Sequence, residues 1–73
     1  MKWQDVKTLK VGDLLTGRRP FTLVDARKGI PHVEIDRHAV FLVIDIIDYF
    51  QIVVLHGETK HHIYEHTYYL LER

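Results

Sequence analysis

Ala39-Val40-Phe41-Leu42-Val43-Ile44-Asp45-Ile46-Ile47-Asp48-Tyr49-Phe50-Gln51-Ile52-Val53-Val54-Leu55 is the stretch that decides how this chain folds. Almost every residue in it is β-branched, aromatic or leucine, the types that suit a pleated, half-buried surface. Its 17 residues are at the short edge of a bilayer-spanning helix, and Asp45 and Asp48 interrupt it, so it reads as strands and not as a membrane span. Asp48-Tyr49-Phe50 is the expected turn between strands at about 39–47 and 50–56. Gly57-Glu58 follows, the Gly-X pair of a two-residue II′ hairpin. That hairpin sets His56 opposite Thr59, Val54 opposite His61 and Ile52 opposite Ile63. Alternation then places His61 and Ile63 on one face, with Ile63 in the core, and Lys60, His62 and Tyr64 on the other.

Outward from this centre the signals weaken. Trp3, Val6 and Leu9 fall at three-residue spacing and predict a helical turn over residues 3–9, with Asp5 as its cap. Leu9-Lys10-Val11-Gly12-Asp13-Leu14-Leu15 reads as a tight turn into a first strand, Gly12 supplying the backbone freedom. Residues 16–38 are the least regular part. Thr16-Gly17-Arg18-Arg19-Pro20 and Arg27-Lys28-Gly29-Ile30-Pro31 are turn-like, with one short strand, Phe21-Thr22-Leu23-Val24, between them. At the far end, Glu65-His66-Thr67 reads as a corner and Tyr68-Tyr69-Leu70-Leu71 as a closing strand.

A first strand, a long connection, three meandering strands, a corner and a last strand: this order resembles the SH3-like barrels of small prokaryotic and phage domains. Leu9-Lys10-Val11-Gly12-Asp13-Leu14-Leu15 looks like the L-K-x-G-D-x-V lead-in to their first strand, with Leu15 in place of the commoner Val. The hairpin at Gly57-Glu58 and the closing Glu65 to Leu71 fit the same plan. The resemblance implies an all-β fold over residues 1–73, a small five-stranded SH3-like barrel with a long loop after the first strand and a short N-terminal helical turn. The shortness of such a free-standing barrel, and no motif, points to a small accessory protein of the kind phages encode. The aromatic pair and proline of the eukaryotic peptide groove have no counterparts here, so proline-rich ligands are not implied. An OB-like barrel would be cramped at this length, and an α+β fold with a longer N-terminal helix is the main rival.

Composition works mostly by exclusion. At 73 residues the chain is one domain with a modest core. It has no Cys, which excludes disulfides and fits a reducing compartment, and the Met1 to Lys7 stretch has no apolar leader, so a soluble cytosolic protein is expected. Having neither Ser nor Cys, it offers no serine or thiol nucleophile. Gly12, Gly17, Gly29 and Gly57 are too scattered for a phosphate loop. Asp45 and Asp48, three apart, would face opposite sides of a continuous strand and so do not converge as an acid–base pair. A non-enzymatic protein without a cofactor is the expectation.

Four histidines, His56, His61, His62 and His66, lie within eleven residues. As metal ligands His62 and His66 are the best placed, with Glu65 or His61 third. No Cys joins them, and Ile63 stands where a zincin motif carries Glu, so solvated strand histidines are the ordinary reading.

Net charge is zero but uneven. Residues 1–37 hold eight Lys and Arg against five acids, a net +3, and residues 38–73 hold two against five, a net −3. A partner surface is expected where the loop residues Arg18, Arg19, Phe21 and Arg27 meet Tyr49 and an outward Tyr68 or Tyr69. The two tyrosines are adjacent, so in a strand one must face out. Arginine beside exposed aromatics is the composition of protein-interaction hot spots, which points to an adaptor-like module with a protein partner. The same arginines, with Phe21 and Tyr49 as stacking faces, suit a nucleic-acid-binding barrel as the alternative, against which the zero net charge weighs. A strand edge at Lys60 to Tyr64 would admit a partner strand, and self-association into a homo-oligomer is a further option.

Overall fold

The structure is a computed structural model that describes residues 1–25 and 30–73, with side-chain surroundings for 1–22 and 34–73. It is mostly β. A 3-10 helix, η1 (Trp3–Thr8), precedes β1 (Leu14–Gly17), β2 (Phe21–Asp25), β3 (Ile30–Ile35), β4 (Val40–Asp48), β5 (Gln51–His56) and β6 (Thr59–Tyr64). A second 3-10 helix, η2 (Glu65–Leu70), leads into the two-residue β7 (Leu71–Glu72). Five strands form one antiparallel sheet in the order β6-β5-β4-β1-β7, and β2 pairs with β3 as a separate hairpin. The sheet is open: β6 and β7 are its edges and η2 connects them.

The hairpin between β5 and β6 has the register its turn dictates. His56 pairs with Thr59, Val54 with His61 and Ile52 with Ile63. Gly57 carries φ of +61° while Glu58 does not enter the positive region, as a II′ turn requires. Ile63 and His61 are buried, and Lys60 and Tyr64 are exposed.

Between β4 and β5 the turn residues are Tyr49 and Phe50, closed by the pair Asp48 and Gln51. The Phe50 amide donates to Asp48 Oδ1 at 2.8 Å, an Asx turn. Two register shifts, between Val43 and Asp45 and between Ile46 and Asp48, make β4 longer than its partner. Such bulges bend a strand and increase its twist, which suits a sheet curling over a small core.

The core is a single cluster. Leu15, Phe41, Val43, Ile52, Val54 and Leu71 are fully buried at its centre, with Val6, Leu9, Ile35, Ile63 and Tyr68 completing it. Every strand of the five-stranded sheet contributes a residue, and η1 adds Val6 from its inward face. The N-cap of η1 is Lys2 and not Asp5; Asp5, the third helical residue, accepts the Lys2 amide through Oδ2 at 2.8 Å, as the third residue of a capping box does. Gly12 occupies φ of +98° in the turn closed by Asp13 N donating to Lys10 O at 3.0 Å. That turn is stitched to β4 by Gly12 N to Val43 O at 2.8 Å and Val43 N to Asp13 O at 2.9 Å.

The tight turn expected in Leu9 to Leu15 is present at residues 10–13 and leads into β1. Two expectations are corrected. Residues 30–35, read as part of an irregular loop, form β3 and pair with β2, Phe21 opposite Ile35. Tyr68-Tyr69-Leu70 belong to η2, and only Leu71 and Glu72 pair with β1. Among the described residues no helix is long and apolar enough to cross a membrane.

Candidate functional site

The segment linking β1 to β2 and the helix η2 lie side by side. Arg18 N donates to Leu70 O at 2.8 Å, which fixes the Arg18-Arg19 backbone against the end of η2. From there the Arg19 guanidinium lies over the Tyr69 ring, 5.5 Å from its centroid. Cation–π contact of this kind contributes about 0.5–1 kcal/mol at an exposed site. Arg18 Nε pairs with Glu72 Oε1 at 3.1 Å, with both side chains more than half exposed, a pair that adds little stability. Arg19, by contrast, has no carboxylate partner among the described residues.

Arg18, Arg19 and Tyr69 line an open recess of about 350 Å³. Tyr69 is also in the wall of a second recess of about 260 Å³, whose other members include Thr22, His62, Tyr64 and His66. The two recesses therefore share a side chain. In the second, the Tyr64 and His66 rings are parallel within 5°, with centroids 6.1 Å apart. Gln51 Nε2 lies 2.8 Å from His62 Nδ1 and orients that ring from β5, the amide donating to the ring nitrogen. The combined surface is basic at one end and aromatic along its length.

Of the residues expected to meet a partner, Arg18, Arg19 and Tyr69 are brought together. Tyr68 is not available to such a face: it is 1% exposed and part of the core, because η2 turns it inward and Tyr69 outward. Phe21 is half-buried and packs on Phe41, centroids 6.1 Å apart, so most of its face is already used. Tyr49 lines neither recess and packs on Trp3, centroids 6.2 Å apart. Arg27 lies outside the described residues. Tyr64, expected outward from strand alternation, and His66, expected as a candidate metal ligand, were not assigned to the partner surface, which the structure brings them beside.

The histidines are dispersed. His56 packs on Phe41 with centroids 5.0 Å apart, and its Nδ1 lies 3.2 Å from Val40 O. His62 is held by Gln51 and His66 is stacked on Tyr64. Among the described residues no group of three or more His, Cys, Asp or Glu is arranged to hold a metal ion. Comparison with family models, with curated proteins and with solved structures finds no match to this chain.

Proposed function

We propose that the chain is a small SH3-like binding module, without catalytic activity of its own, that holds an acidic segment of a protein partner in the groove between the β1–β2 link and η2. The SH3-like reading is supported by the strand order β6-β5-β4-β1-β7, the hairpin inserted after β1 and the 3-10 turn before the last strand. The observation that carries the functional reading is Arg19: an arginine held over Tyr69, at the wall of an open recess, with no carboxylate partner among the described residues. An arriving carboxylate would gain a charge-assisted bond to a guanidinium whose position is already fixed by stacking. Tyr69 and Tyr64, about half exposed, supply rings for the apolar side chains of the same segment.

The test is a titration of isotope-labelled chain with a short peptide of Glu, Asp and Tyr, followed by amide and side-chain chemical shifts. Saturable shifts at Arg19, Tyr69 and Tyr64, lost in Arg19→Glu, are the expected result. No shifts at millimolar peptide would reject the proposal. Saturable binding of random single-stranded DNA or RNA to the same residues, with steep salt dependence, would install the nucleic-acid reading in its place.

A further inference from the structure

η1 and the β4–β5 turn set three exposed rings side by side. The Trp3 centroid is 6.2 Å from that of Tyr49 and 6.1 Å from that of Phe50. All three are between 39% and 51% exposed. Their exposure follows from the local structure. Tyr49 and Phe50 are the two residues of the turn, so they stand at its tip. Trp3 is the first residue of η1, one turn before Val6 on the same face, and it lies outside the core cluster that takes in Val6 and Leu9. A contiguous aromatic patch on so small a chain marks an interaction surface more often than a solvated one.

The patch has an acidic rim. Asp48 accepts the Phe50 amide at 2.8 Å, which pins its carboxylate against the turn. Glu65 N donates to Phe50 O at 2.9 Å, which brings the first residue of η2 to the same place. Neither carboxylate forms an ion pair among the described residues, and Lys2, just before η1, and Lys7, within it, stay exposed and pair with neither acid. Tyr68 is buried close by. Its hydroxyl has no hydrogen-bond partner among the described residues, and the two charges that act on it are Asp48 and Glu65. Two carboxylates, unpaired among the described residues, thus flank the turn that carries two of the three accessible rings.

We infer that this face docks a basic segment of another protein, with an arginine or lysine side chain laid along the Trp3 ring and its charged head held by Asp48 and Glu65. Each feature favours that occupant. Trp is the best cation–π acceptor among the side chains. An apolar occupant would strip water from two carboxylates and offer them nothing in return. A nucleic-acid backbone would be repelled. A second copy of the chain meeting it across a two-fold axis would set acid against acid, since such an interface is self-complementary. The surface is separate from the Arg19–Tyr69 groove and takes ligand of opposite charge.

Trp3 is the only tryptophan in the chain, so its emission reports on this face alone. The full chain is titrated with a peptide of alternating Arg and Gly and with the same peptide carrying citrulline for arginine. The arginine peptide should produce a saturable change in Trp3 emission, and the citrulline peptide should bind about tenfold more weakly or worse. Asp48→Asn with Glu65→Gln should weaken the arginine peptide about tenfold without moving Tm, since Asn keeps the bond to the Phe50 amide. Equal binding of the two peptides, equal binding by the double variant, or no saturable response at millimolar peptide would each overturn the proposal. So would a Trp3 signal that depends on protein concentration alone, which would make a second copy the occupant.

Discussion

Replacing Tyr68 by Phe should make this protein more stable. Tyr68 is 1% exposed, and its hydroxyl oxygen is buried without a hydrogen-bond partner among the described residues. A buried hydroxyl that lacks a partner costs about 1–3 kcal/mol relative to water. Phe keeps the ring in the core and removes the hydroxyl, leaving a small void whose cost is a few tenths of a kcal/mol, on the order of 24 cal/mol per Å³. The net expectation is a gain of about 1–2 kcal/mol, which for a domain of this size raises Tm by roughly 5–10 °C. The pH dependence gives an independent check. Burial, aided by the charges of Asp48 and Glu65, pushes the phenol up from 10.0 to about 12. The folded state therefore holds this proton more tightly than the unfolded state does. That contribution is intact below pH 10 and is lost as pH climbs through about 12, a fall of order 1–2 kcal/mol once solvent screening is allowed for. Other tyrosines and lysines titrate in the same window, so the quantity to measure is the difference between the two chains. Thermal unfolding at pH 7 and denaturant unfolding from pH 8 to 12 supply it. A lower Tm for Tyr68→Phe at pH 7, or an unchanged alkaline slope, would refute the assignment of an unsatisfied buried hydroxyl.

Further outcomes follow from single features. Gly12→Ala forces a side chain into φ of +98° and should cost about 1–2 kcal/mol in denaturant unfolding, even though no atom lies within 4 Å of the added methyl. Glu72→Gln removes the exposed ion pair to Arg18 and should shift stability by less than about 1 kcal/mol, while releasing a second guanidinium and strengthening binding of acidic peptide in the groove. Ile63→Ala empties a position that is 1% exposed and should cost about 2–5 kcal/mol, enough to leave a large unfolded fraction by circular dichroism at room temperature. Tyr69→Ala, at a position 57% exposed, should leave Tm within about 2 °C of the parent and reduce peptide affinity in the groove.

The legibility of the sequence fell off with the range of the forces involved. The β5–β6 register was readable to the residue, because Gly57-Glu58 specifies the turn and the alternation of Ile63 with His62 and Tyr64 specifies the faces. η1 was readable from the spacing of Trp3, Val6 and Leu9. β3 was not, since Pro31 sits inside it and the turn-like reading of Arg27 to Pro31 ran on into its first two residues. η2 was misread for the opposite reason. Tyr68-Tyr69-Leu70-Leu71 has strong strand propensity, yet the chain must turn a corner to bring Leu71 beside Gly17 while placing Tyr68 in the core. Tertiary demand overrode propensity there. The same corner decides the candidate site: sequence alone left Tyr68 and Tyr69 equivalent, and only the handed 3-10 turn sends Tyr69 to Arg19.

The two surfaces share a physical origin. A core built on Leu15, Phe41, Val43, Ile52, Val54 and Leu71 has room for few large rings, and it already admits Tyr68 at the cost of a stranded hydroxyl. Trp3, Tyr49, Phe50, Tyr64 and Tyr69 are then left outside, each about half exposed. What separates them into distinct faces is the charge beside each group, which follows the uneven distribution along the chain. Arg18 and Arg19 come from the basic first half and reach Tyr69 because β1 pairs with β7. Asp48 and Glu65 come from the acidic second half and meet at Phe50 because η2 starts on the β4–β5 turn. If the faces act independently, Arg19→Glu should abolish acidic-peptide binding and leave the Trp3 response to arginine peptide unchanged. The Asp48→Asn, Glu65→Gln pair should do the reverse. Loss of both activities in either variant would show that the chain has one binding surface and that its charge segregation is only a matter of solubility.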